Sequence, residues 1–254
     1  MSISFLRRRV LTAALTGAAS LALTGCDAIG DSSTGRRVLF SAEKLTYRAQ
    51  RLITARNALA REFSAADLSP VFRTNGTTMP SSPSYQQHLS EGFAGWRLIV
   101  DGAVESPLAL SLTQLARLPQ RTQITRHDCV EGWSAIGQWT GVPLKFVLDA
   151  ARPRRSARYI VFHCADDFDG IPYYESVDLV DGYHPQTLLA HSLNGARLPV
   201  GHGAPIRLRV ERQLGYKHAK YVMRVELVDS LADVGEGRGG YWEDQADYEW
   251  YAGI

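Results

Sequence analysis

Three cysteines in 254 residues, Cys26, Cys129 and Cys164, are too few for a disulfide framework, which excludes a small stapled scaffold. The chain also lacks a strong charge of either sign. Its formal net charge of +2 gives no electrostatic footprint for nucleic acid. The positive charge is local, with ten Lys/Arg against four Asp/Glu in residues 1–63. No stretch supplies the roughly 18 or more apolar residues of a spanning helix free of processing signals. A Cys-x-x-Cys-His segment is missing too, so the chain attaches no c-type haem of its own. Internal repeats and sustained heptads are absent, which excludes solenoids and coiled coils. The length and the 45% hydrophobic content suit one large domain with appendages.

Residues 1–25 read as an export signal rather than as fold. Arg7-Arg8-Arg9 is its charged region, Val10 to Leu23 its apolar region and Leu23-Thr24-Gly25-Cys26 its end. Paired arginines before Val-Leu resemble a twin-arginine signal. Leu-Thr-Gly-Cys resembles a bacterial lipobox, whose cysteine becomes the lipidated first residue; the alternative is cleavage near Ala28, with Cys26 discarded. Both place the protein in the periplasm, the first anchored to the membrane as a lipoprotein. Polar, Gly/Ser-containing residues 26–40 read as a tether. A helix is expected over 41–66, where Leu45, Ala49, Leu52, Ile53 and Leu59 recur at helical spacing. Its five basic residues from Lys44 to Arg61 make a solvated face or one drawn to anionic lipid.

The main domain is expected over 67–234. Asp67 to Glu91, with three prolines, reads as a long ordered loop. Trp96 to Gly102 predicts a strand, Ser111 to Leu118 a short helix, and Pro143 to Ala151 a helix with proline in its first turn. Arg158 to Cys164 is nearly all apolar and predicts an interior strand. Pro185 to Leu193 is expected to be helical. Ile206, Leu208 and Val210 alternate with polar neighbours, and Tyr221 to Val228 predicts a further strand. Short helices among mixed strands make an α+β domain. The aromatic tail, 235–254, is expected to pack on the domain surface, with a cover over a cofactor mouth as the alternative.

Two segments carry the chemistry. The first is Arg126-His-Asp-Cys129-Val-Glu-Gly-Trp133-Ser-Ala-Ile-Gly-Gln-Trp139-Thr-Gly141. Cys129 follows a strand-like run and precedes a glycine-punctuated loop, so rigid structure holds it while its sulfur stays approachable. Taken alone it is also compatible with an inert buried thiol, a Cys129–Cys164 disulfide, or zinc held with His127, His163 and Cys164. The second is Leu198-Pro-Val-Gly-His202-Gly-Ala-Pro-Ile-Arg207, followed by Leu214-Gly-Tyr-Lys217-His218-Ala219-Lys220. Arg207 can clamp phosphate oxygens in bidentate fashion, and Lys217 and Lys220 would place point charges beside it.

In this order, the two segments resemble the molybdenum- and pterin-binding signatures of the sulfite oxidase superfamily, closest to its periplasmic methionine sulfoxide reductase branch. The resemblance covers about Asp67 to Asp229. It implies a molybdenum–molybdopterin cofactor with Cys129 as the metal thiolate. His202, Arg207, His218, Ala219 and Lys220 become pterin contacts. Asn75, Thr78 and Met79 fall in an early cofactor loop, and Cys164 at a further polar contact. His202 stands where that branch has Asn, Cys164 where it has Thr, and Thr78-Met79 where it has an aromatic–acid pair. The implied reaction is oxygen-atom transfer at molybdenum cycling between Mo(VI) and Mo(IV), on a neutral S-oxide or N-oxide. Electrons would be exchanged singly with a haem partner, a membrane cytochrome b or a cytochrome c. A monomer is expected. The rival readings are a non-catalytic periplasmic lipoprotein module with bridged cysteines, and sulfite oxidation.

Overall fold

The structure, a computed structural model, describes residues 32–254; the expected export signal, the lipobox and Cys26 lie outside the described residues. The chain divides after Ile53. Helix α1 (Ser33–Ile53) begins inside the span expected to be a tether and ends well before residue 66. Its start follows from a local cap: the Ser32 hydroxyl accepts the Gly35 backbone N–H at 2.9 Å. Its early end follows from better partners downstream. The side-chain amide of Gln186 bonds both the N–H and the C=O of Ala60, at 2.8 and 3.0 Å. Phe63 N–H donates to Ile124 O at 2.8 Å. Residues 54–63 therefore leave the helix through a turn at Arg56–Asn57 and continue without helical structure, tertiary pairing overriding a helical pattern.

From Thr54 to Ile254 the body holds two sheets. The first is ordered β2 (Leu108–Leu110), β1 (Leu98–Gly102), β10 (Val222–Val228), β5 (Tyr159–Phe168), β6 (Ile171–Asp178); the second is β3 (Arg121–Asp128), β4 (Ser134–Pro143), β7 (Leu188–Leu193), β8 (Ala196–Arg197), with β9 (Arg207–Arg209) also paired to β7. Helices α2 (Pro83–Ser90), α3 (Leu112–Arg117), α4 (Leu144–Ala151), α5 (Leu179–Gly182) and α6 (Tyr241–Ala246) are all short. The α+β class is as expected. β5 pairs on both edges, with β10 and β6, as its continuous apolar run requires. Its Ile160 and Phe162 join Trp96, Leu98, Leu144, Leu148 and Val225 in the main core.

Four expectations change. Leu188–Leu193 is a strand, not part of a helix, because its backbone is shared between β4 and β9; a short apolar run does not distinguish the two by periodicity. Residues 67–91 contain α2, with Pro83 in its first turn. Its Tyr85 is fully buried and donates to Ala204 O at 2.7 Å. Only the turn 129–133 separates β3 from β4, so Cys129 sits on a hairpin whose second strand follows at once, where a glycine-punctuated loop was expected. The tail carries α6 and is not simply irregular.

Candidate cofactor and substrate site

β3 and β4 pair from Arg121↔Gly141 to Asp128↔Ser134. At the hairpin end Cys129 N–H donates to Trp133 O at 2.9 Å, and Gly132 N–H donates back to Cys129 O at 3.1 Å. Asp128 braces the turn, accepting from Ser134 Oγ at 2.5 Å and Arg126 Nε at 2.9 Å. Cys129, only 8% exposed, lines an open cleft.

The second segment supplies the floor of this cleft. A Cβ on Gly215 would lie 2.5 Å from His127 Nε2, so the absence of a side chain is what lets this turn close on the strand before Cys129. Gly203, at φ +109°, likewise fits only because a Cβ would meet those of Lys220 and Arg207 at 2.9 and 3.1 Å. Arg207 and Arg209, both buried, flank the Trp139 ring at 5.2 and 4.4 Å from its centroid. Their partners differ. Arg209 forks onto Glu211 at 2.8 and 2.6 Å and reaches His127 Nδ1 at 3.0 Å. Arg207 finds only the carbonyls of His202 and His218, at 3.2 and 3.3 Å, and its Nε has no partner. Among the described residues no carboxylate forms an ion pair with it. Burial and then Arg209 push its pKa down to about 9.

Lys220 fastens the early loop to this floor. Its ammonium donates to Asn75 O at 2.6 Å, Gly201 O at 3.2 Å and Thr77 O. Burial, reinforced by Arg207, pushes Lys220 down to about 7. His202 is held at about 4 by burial, Arg207 and Lys220. Asp166, 3% exposed, is pushed up to about 6 chiefly by burial, and its Oδ1 is unpartnered. His218 Nε2 donates to Gln213 O at 3.0 Å, which leaves Nδ1 a buried acceptor without a partner.

These groups fit an anionic cofactor with a hydrogen-bonding edge. Buried polar atoms almost always have partners. Here Arg207 Nε, His218 Nδ1 and Asp166 Oδ1 have none, and all three residues line the cleft. An isolated buried cation is costly unless an anion meets it. A phosphate would answer Arg207, and a pterin edge could meet the histidine and carboxylate acceptors. Burial raises the Cys129 thiol, so a coordinated metal is what would hold it as thiolate.

Of the residues expected at the site, Asn75, Cys129, Arg207, His218 and Lys220 line the cleft together. Ala219 lies buried between two of them, its carbonyl accepting from Leu208 N–H at 2.8 Å. His202 is not in the lining; it meets Phe72 edge-on at 5.7 Å and contributes its carbonyl to Arg207. Cys164 lies outside the lining, and both it and Cys129 are free thiols. Thr78 and Met79 are exposed and outside it as well; Thr77 takes the place expected of them. Lys217 does not face the cofactor floor, because its ammonium is turned into Glu175 and Glu243. Trp133 is not a wall of the cleft: it packs on Phe72 and His127 and donates to Glu131 Oε2 at 2.9 Å, fixing that carboxylate at the mouth. For zinc, His163 is diverted to Glu226 at 2.8 Å, and among the described residues no group of three or more His, Cys, Asp or Glu could hold a metal ion. Sequence reasoning did not place Asp166, Phe168 or Tyr216 at the cleft, and it put the tail's Trp242 and Tyr248 there only as the alternative to surface packing. The acid-rich loop after Cys164 and the aromatic tail were the available signals.

The oxidoreductase molybdopterin binding domain family matches residues 86–233. The chain is 36% identical over 251 residues, 97% of its length and 87% of the relative's, to YedZ1 of Azospira oryzae, provisionally described as a protein-methionine-sulfoxide reductase subunit. It is also 36% identical over 149 residues to the protein-methionine-sulfoxide reductase catalytic subunit MsrP of Xanthomonas axonopodis pv. citri, covering 54% of this chain and 46% of that one. MsrP of Ralstonia nicotianae matches at 36% over 145 residues, 53% of this chain and 44% of its own. The chain thus spans under half the length of these MsrP subunits. The sulfane dehydrogenase SoxCD of Paracoccus pantotrophus aligns at 25% identity over 53% of this chain and 38% of its own, with a TM-score of 0.49. The thiol-bearing hairpin, the cationic floor and the family match lead to one conclusion: the chain belongs to the oxidoreductase molybdopterin binding domain family of sulfite-oxidase-like enzymes.

Proposed function

We propose that the protein is a periplasmic molybdenum–molybdopterin enzyme acting on a neutral S-oxide or N-oxide, with methionine sulfoxide the first candidate from the names of its relatives. When bound, the cofactor supplies oxygen-atom transfer chemistry. The chain's own groups do the rest. Cys129 ligates the metal, Arg207 and Lys220 answer the cofactor's anionic groups, and Asp166 and His218 offer acceptors to its polar edge. Trp133 holds the Glu131 carboxylate at the mouth, where it disfavours anionic substrates.

The observation that carries the substrate class is the make-up of the mouth. Its exposed and half-buried lining includes Val130, Glu131, Trp242 and Tyr248 and, among the described residues, no cation; Arg207 and Lys220 both lie on the buried floor. At a separation of roughly 6 Å, Glu131 would repel a monoanion by about 0.7 kcal/mol in water and about 3 kcal/mol at an effective dielectric near 20. That is about threefold to a hundredfold in affinity. Electrons are exchanged with a haem partner, a membrane cytochrome b or a cytochrome c. The lipobox resemblance supports anchoring through Cys26, read out by fatty-acid labelling that disappears in Cys26→Ala.

The test of the reaction is kcat/KM for neutral sulfoxides, N-oxides and sulfite, each with an artificial redox dye. A neutral oxide should be the preferred substrate by at least about tenfold. Sulfite turnover equal to the best oxide would place the protein among sulfite oxidisers instead.

A further inference from the structure

Residues after Gly235 do more than cover a surface. Lys217, in the turn of the second segment, donates to Glu243 Oε1 at 2.6 Å and to Glu175 Oε1, and all three side chains are fully buried. Burial and the adjacent Glu243 hold Glu175 well above the usual carboxylate range. Against burial, the two glutamates hold Lys217 above its ordinary value, so it stays charged. On either side of Lys217 are Tyr216 and His218, which both line the cleft; just before Glu243 is Trp242, which lines it too. The buried ion pair therefore fixes one wall of the cleft to its floor.

Further bonds keep the tail in place. Tyr216 Oη donates to Glu249 O at 2.5 Å, Leu214 N–H to Ala252 O at 2.9 Å, and Trp250 Nε1 to Ser176 Oγ at 2.8 Å. On this support Trp242 and Tyr248 stack at 5.8 Å with ring planes 26° apart. Trp242 leans on Phe168 at 5.4 Å, and Tyr248 meets Tyr216 edge-on at 5.0 Å. Burying a lysine and two carboxylates is costly, and aromatic packing on a surface does not require it. A fixed wall does. Aromatic rings offer an apolar surface to the alkyl groups beside an oxidised sulfur or nitrogen, and among the described residues the mouth has no cation that would draw an anion instead.

We infer that the C-terminal tail is a wall of the substrate pocket, latched by Lys217, and that Trp242 and Tyr248 are specificity-determining residues that seat the alkyl group beside the oxidised atom of a neutral oxide. This rests on the functional reading above. The wall and the reaction are tested separately on the molybdenum-loaded full chain. Calorimetry with N-acetyl methionine sulfone amide, a neutral isostere, reads the wall without turnover. Affinity should fall about tenfold in Trp242→Ala and in Tyr248→Ala, roughly the worth of burying two methylene-sized groups, at unchanged molybdenum content. Trp242→Phe, which keeps an aromatic face and the packing on Phe168, should restore most of it. Unchanged sulfone affinity in Tyr248→Ala and in whichever Trp242 variant folds overturns the wall, as does a wild type that binds no sulfone. Sulfoxide turnover by the wild type, measured in parallel, reads the reaction. Turnover with unchanged sulfone affinity sinks the wall alone, and weakened affinity without wild-type turnover sinks the reaction alone.

Discussion

Arg207 and Lys217 lie ten residues apart in one segment, and both are fully buried, yet their surroundings are opposite. Lys217 has two carboxylates, one more than its charge requires. Arg207 has two carbonyls, an aromatic face and a partnerless Nε. A cation supplied with internal counter-ions is holding the protein together. One left without them is waiting for a charge from outside. By the same measure Arg209, forked onto Glu211, is structural, and Lys220, spent on backbone carbonyls, sides with Arg207.

The comparison breaks most visibly at Lys217. Lys217→Met leaves two buried carboxylates without their cation and should cost about 3–5 kcal/mol of stability. Denaturant unfolding near neutral pH reads it, and protease should cut the tail of any folded fraction first. A loss under about 1 kcal/mol would mean the latch is not a latch. Arg207→Met should do the reverse. In cofactor-free protein its unfolding midpoint should stay level or rise, since an unpaired buried charge is removed. Cofactor affinity should meanwhile drop at least about a hundredfold, the worth of one or two hydrogen bonds to a charged group. A large loss of stability without loss of cofactor would reverse the roles assigned to the two cations.

A smaller effect sharpens the floor's description. Asp166 has its folded pKa raised to about 6 from an ordinary 3.8. Its contribution to stability is therefore fully present below about pH 4 and lost as pH rises through 6. In cofactor-free protein Asp166→Asn should stabilise by about 1–2 kcal/mol at pH 8 and by nothing at pH 4. The roughly 3 kcal/mol of a two-unit shift is the upper bound. Thermal unfolding at the two pH values measures it; equal effects at both would show that burial is not what raises Asp166.

How much of this was legible in the sequence divides along the same line. The interior strand β5, the short helix capped by Ser111 and the α+β class follow from local pattern, and the structure has all three. Cys129, Arg207, His218 and Lys220 were carried by two motifs whose order and spacing survive in the chain. What sequence could not give depends on partners far along the chain. The Ala60–Gln186 pairing ends α1's pattern early, and β7 is a strand because two neighbours claim its backbone. Lys217 reads as a phosphate cation until Glu175 and Glu243 are seen around it. The tail's aromatics read as surface packing because nothing local shows that Glu243 is pulled inside.

The central claim, that Cys129 and the counter-ion-free floor hold molybdenum–molybdopterin, is tested most directly by metal and pterin analysis. The full chain would be expressed with its export route and cofactor biosynthesis intact, as wild type and as Cys129→Ser. The wild type should carry about one molybdenum and one pterin per chain. In Cys129→Ser the metal should be lost or left inactive, because a hard hydroxyl replaces a soft thiolate. Stoichiometric zinc, or a wild type that folds and is exported without molybdenum, would contradict the assignment.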